Sequence, residues 1–92
     1  MKRIINGRGS GKTQELIEFA AIRNLPIFAA NPQDIYMKAL LMGYKDIKVY
    51  TYSFLLQNEE EFEDKHYLID DLELFARYCA PGYLDGYTLA VD

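Results

Sequence analysis

The sequence predicts a single α/β domain over residues 1–92, a three-layer α/β/α sandwich around a mostly parallel five-stranded sheet. Three observations carry that expectation. Short apolar runs alternate with amphipathic stretches, the pattern of strands covered by helices. A glycine-rich turn joins the first apolar run directly to the first amphipathic stretch. Finally, 92 residues hold five strands and their helices only if the loops are short, which leaves no room for a second domain or a lid.

The elements follow in order. Arg3, Ile4 and Ile5 form a short first strand, and residues 7–11 are the glycine-rich turn. A helix runs over residues 12–23, with Leu16, Ile17, Phe19, Ala20 and Ile22 on its apolar side. Asn24 and the Leu25-Pro26 pair stop it, because a residue before proline disfavours helix. Residues 27–30 are the second strand. Asn31 as cap, Pro32 in the first helical position and Asp34 at the positive end start the next helix, which Gly43 ends. Residues 47–50 form a third strand and residues 53–56 a short helix. Glu59, Glu60, Glu61, Glu63 and Asp64 read as a solvated acidic loop. Residues 67–69 are a fourth strand, 71–79 a helix stopped by Ala80-Pro81-Gly82, and 87–91 a fifth strand.

Half the residues are hydrophobic and 26% are charged, an ordinary globular composition that excludes disordered, collagen-like and disulfide-scaffold classes. One cysteine, Cys79, cannot form an internal disulfide and is expected as a buried thiol on an apolar helix. No apolar run approaches the roughly 18 residues of a membrane span. The N-terminus turns glycine-rich too soon for a signal peptide, so the expected location is cytoplasmic. Net charge is −4, which argues against binding bulk nucleic acid. The charge is uneven: residues 1–50 carry eight Lys/Arg against four Asp/Glu, and the remainder two against ten. A basic first half suits an anionic ligand near the N-terminus. His66 has no partner at metal-ligand spacing and reads as structural. The tyrosines at 44, 50, 52, 67, 78, 83 and 87 read as the amphipathic rim of a small core.

Asn6-Gly7-Arg8-Gly9-Ser10-Gly11-Lys12-Thr13 is the most informative segment. Glycines let backbone N–H groups turn toward phosphate oxygens, and a helix start adds unpaired donors and the positive end of the dipole. Lys12 is placed to reach the phosphates and Thr13 to offer its hydroxyl to Mg²⁺. At Tyr67-Leu68-Ile69-Asp70-Asp71, two carboxylates end an apolar strand, where ligands of open α/β sheets bind. Asp70 there is a hard oxygen ligand for Mg²⁺. Asp71 reads equally as a base for an attacking water and as the cap of the following helix.

These two segments resemble the Walker A and Walker B motifs of P-loop NTPases. Asn6 stands where that family has its first glycine. Asp71 stands where the RecA-like and helicase branch has glutamate, and its side chain is one methylene shorter. Phe28 to Pro32 and Val49 to Leu56 add a likeness to the first half of a superfamily-one helicase core. The compact layout is similar to that of small ATP-binding proteins of phages and prophages. The resemblance implies binding of ATP or another NTP with Mg²⁺. Residues 6–13 would hold the phosphates, Thr13 and Asp70 the metal, and Lys12 and Asp71 would serve a weak hydrolysis. An autonomous helicase is not expected, since no second lobe follows. The alternative is a catalytically weak or inactive interaction protein that binds a larger ATPase or a replication or packaging partner. A homo-oligomer completed by a neighbour's arginine, with Arg8, Arg23 and Arg77 as the candidates, is a third expectation.

Overall fold

The computed structural model describes residues 11–88. The elements are α1 (Lys12–Arg23), β1 (Ile27–Ala29), α2 (Pro32–Leu41), β2 (Val49–Thr51), α3 (Tyr52–Gln57), α4 (Glu59–Phe62), β3 (Leu68–Ile69) and α5 (Leu72–Cys79). The three strands form one parallel sheet in the order β2-β1-β3. Ile27 pairs with Val49 on one side and Leu68 on the other, and Phe28 with Tyr50 and Ile69.

Parallel strands need crossover connections, and here each crossover contains helix. The central strand β1 is buried along its whole length, as a strand covered on both faces must be. Its alternation divides the core in two. Ile27 and Ala29 join Leu16, Ile17 and Ala20 of α1, Ile35 and Ala39 of α2, and Ile47. Phe28 faces the other way and meets Tyr52 and Leu55 of α3, with Phe54, Phe62, Ile69 and Phe75 packed around them. The Phe28 ring is edge-on to Phe62 at 5.1 Å and to Tyr67 at 5.4 Å.

The sheet corrects the expected architecture. It has three strands among the described residues, a minimal α/β fold and not a five-stranded P-loop core. The segment at Tyr87 and Thr88 carries no ladder and both side chains are exposed, so an apolar run alone did not make a strand there. The predicted strand at Arg3 to Ile5, and Leu89, Ala90 and Val91, lie outside the described residues. Strand β2 also begins two residues later than the apolar run suggests. Ile47 is buried in the segment before it, and the register with β1 starts at Val49.

The helices follow their local signals. Helix α1 ends at Asn24, in the left-handed region at φ 55°, with the Asn24 amide returning to the Ala20 carbonyl. Gly43 at φ 93° closes α2, its amide on Leu40 and that of Tyr44 on Ala39 at 2.9 Å, a Schellman arrangement. Three local expectations are revised. Asn31 does not cap the α2 backbone; its amide group donates to the Asp34 carboxylate at 2.9 Å. The acidic run is partly the short helix α4, whose glutamates all face solvent while Phe62 turns inward to the core. Cys79 is exposed, because α5 packs a half-buried Phe75 against the core and turns its last residue outward.

Candidate functional site

Parallel pairing sends β1, β2 and β3 out of the sheet at the same end, and the residues that follow each strand gather there. Thr51 ends β2 and caps α3: its side-chain oxygen accepts the Phe54 amide at 3.2 Å and lies 3.0 Å from the Ser53 hydroxyl. Asp70 follows β3, and its amide donates to the Phe28 carbonyl at 2.9 Å, extending the ladder by one bond. Asp71 caps α5 by accepting the Leu74 amide at 3.1 Å. It does so at φ 62° and ψ 76°, a left-handed conformation that aspartate tolerates better than most residues.

Tyr52 holds this corner in place. Its ring is buried, and its hydroxyl donates to the Asp70 carbonyl at 2.6 Å and reaches the Asp71 carbonyl at 3.3 Å. The ring lies edge-on to Phe75 at 5.1 Å and tilted against Tyr78 at 5.8 Å, both on α5. Burial, and then the charges of Asp71 and Asp70, push the Tyr52 phenol up to about 12, so it remains a donor across the physiological range.

The electrostatics connect the two predicted motifs. The Asp70 carboxyl is half-buried and is raised above its ordinary value, first by desolvation and then by the neighbouring Asp71 charge. Lys12 and Lys38 pull it back down, so the first residue of α1 acts on the end of β3 from 58 positions away in sequence. Gly11 stands at the N-cap position of α1 with φ 81°, and Lys12 and Thr13 are half-buried in the first turn. Asn6, Gly7, Arg8, Gly9 and Ser10 lie outside the described residues.

Among the described residues no three His, Cys, Asp or Glu side chains gather into a metal cage. Mg²⁺ does not need one, since it takes one or two protein oxygens and keeps water and phosphate for the rest. The chemistry of Asp70 fits that use: it is a hard oxygen donor whose desolvated charge a cation would compensate. Asp71 is different, because one of its oxygens is already committed to capping α5.

A cavity of about 650 Å³ opens beside this corner, with Ala29, Ala30, Thr51, Tyr52, Ser53 and residues of α5 and the 82–85 segment on its walls. Sequence reasoning missed two parts of the site. Tyr52 was grouped with the rim tyrosines, although a tyrosine between the two hydroxyl residues of a strand-to-helix junction is a local signal. In the sequence Arg77 stands out only as one of the available arginines, whereas it lines this chain's own cavity. Among the described residues no helix is long and apolar enough to cross a membrane. Comparison of the chain with protein families, with curated proteins and with solved structures finds no match in any of the three.

Proposed function

We propose that this protein binds a nucleoside triphosphate, ATP in the first instance, together with Mg²⁺. One arrangement carries this: Lys12 and Thr13 open α1 directly after the left-handed Gly11, and Asp70, on whose carboxyl the Lys12 charge acts, stands at the end of the parallel sheet. A cation at a helix start and a half-buried carboxylate within its electrostatic reach are the two charges that a magnesium–phosphate pair requires. In this reading the segment at residues 6–13 cradles the phosphates. Lys12 neutralises phosphate charge, and Thr13 and Asp70 hold the metal. The bound metal would stabilise charge on the phosphate oxygens.

Turnover is weak in this proposal. Asp71 is the candidate base, and it is engaged with the Leu74 amide on a left-handed backbone, so it is poorly placed to orient a water. The same bond favours the second reading, a nucleotide-responsive interaction protein with little or no hydrolysis.

The test is a thermal melt with and without Mg-ATP on the wild type and on Lys12→Ala. A ligand at about 100 times its Kd adds about 2.7 kcal/mol. For a domain of this size that raises Tm by on the order of ten degrees. A rise in the wild type that is lost in Lys12→Ala supports the proposal. Two well-folded proteins with no shift would overturn it.

A further inference from the structure

The cavity beside Tyr52 has the makings of a second small-molecule site, and the argument for it does not rest on the nucleotide reading. We propose that it binds an organic oxyanion carrying an aromatic ring, such as an aryl phosphate, with the anion at Arg77 and the ring against Tyr78 and Tyr83. Its volume of about 650 Å³ lies within the range of small-molecule sites and leaves room for an aryl phosphate with further substituents.

Three features select the ligand's chemistry. The Arg77 side chain lines the cavity, and among the described residues it has no ion-pair or hydrogen-bond partner. A guanidinium so placed presents a planar fork to a carboxylate or phosphate. Thr51 and Ser53 then add a donor. Their hydroxyls lie 3.0 Å apart, and the Thr51 oxygen accepts the Phe54 amide. One of the two hydroxyl protons serves the bond between them, and the other remains to be given to a ligand oxygen. Lastly, Tyr78 and Tyr83 line this wall, and the two residues are 55% and 96% exposed. Two exposed phenols gain more from covering an aromatic ring than from covering a small inorganic anion. Asp85 supplies a carboxylate on the same wall and suits a hydroxyl or amino donor elsewhere on the ligand.

The experiment is a titration of the isotope-labelled full chain with phenyl phosphate, followed by amide NMR shifts, with inorganic phosphate and phenol as comparison probes. Saturable shifts at residues 51–53, 77–78 and 82–85 are expected, with phenyl phosphate binding at least tenfold more tightly than either comparison probe. Arg77→Gln should weaken binding about tenfold or more, since a charge-assisted bond is lost. Tyr78→Leu should weaken it severalfold, and Lys12→Ala should leave it unchanged. Non-saturating shifts, equal affinity in Arg77→Gln, or shifts confined to residues 11–13 and abolished by Lys12→Ala would each overturn the proposal. Both cavity side chains are exposed, so these variants should keep the wild-type fold, which a melt checks directly.

Discussion

The Tyr52 hydroxyl donates to the Asp70 carbonyl at 2.6 Å, joining residues 18 positions apart and fixing the end of β3 against the start of α3. That bond, with the longer one to Asp71, ties the candidate metal carboxylate to the buried aromatic cluster. The corner therefore tests as one unit.

Tyr52→Phe keeps the ring and removes the donor. It leaves the Asp70 carbonyl without this partner and should cost about 1–2 kcal/mol. A fall in Tm of roughly 4–15 degrees with an unchanged far-UV spectrum is expected. The pH dependence carries a sign. The phenol is held at about 12 in the folded chain and falls to its ordinary value near 10 on unfolding. The unfolded state therefore loses its proton first, and stability drops as pH rises from about 10 toward 12. The loss should be smaller in Tyr52→Phe when urea midpoints are compared across that window.

Asp70→Asn should raise stability at neutral pH. Its carboxyl is raised in the folded chain, so the folded state holds the proton more tightly than the unfolded state. Stability then falls as pH rises from the ordinary aspartate value near 4 through the folded value, and stays low above it. Asparagine avoids that loss, so the two proteins should converge in Tm below about pH 4 and separate above it. In the proposed function the same variant loses the Mg-ATP shift, which sets a functional cost against a structural gain.

Asp71 separates capping from catalysis. Asp71→Ala loses both the bond to the Leu74 amide and the tolerance of positive φ, and should cost about 1–3 kcal/mol. Asp71→Asn keeps both and should cost a few tenths. Any ATPase rate should then be similar in wild type and Asp71→Asn; a large drop in the asparagine variant with an unchanged Tm would identify Asp71 as the base instead.

How much of this was legible in the sequence depended on how local each signal was. Helix α1 was readable to its ends because Gly11, Asn24 and the Leu25-Pro26 pair act on their own backbone. The Asp71 cap was one of two readings that the sequence left open, and the bond to the Leu74 amide shows it. Strand content was not. The apolar pattern at Tyr87 and Thr88 looks like the one at 67–69, but a strand exists only where a partner ladder is supplied, and pairing is a long-range property. Residues 68–69 find β1; Tyr87 and Thr88 have no ladder partner among the described residues. Nor could the Lys12–Asp70 interaction be read as a distance, although each residue was singled out by its motif.

Phe28→Ala is the severe core change. The ring is completely buried and meets Tyr50, Phe62 and Tyr67 from three other elements or loops. Losing it should cost about 3–5 kcal/mol, which lowers Tm by on the order of 20 degrees and approaches the whole stability of a small domain. Circular dichroism melts read this directly.

The central strand is three residues long, yet it belongs to both halves of the core. Neither half can open while the other stays closed, because Ile27 and Ala29 anchor one and Phe28, between them, anchors the other. In hydrogen-exchange terms, the amide of Ile27, bonded to Lys48, and that of Asp70, bonded to Phe28, should share one opening free energy, equal to that of global unfolding. The end of β3 that carries the candidate metal ligand is thus as slow to exchange as the centre of the sheet, and a ligand arriving there meets a carboxylate already set in place.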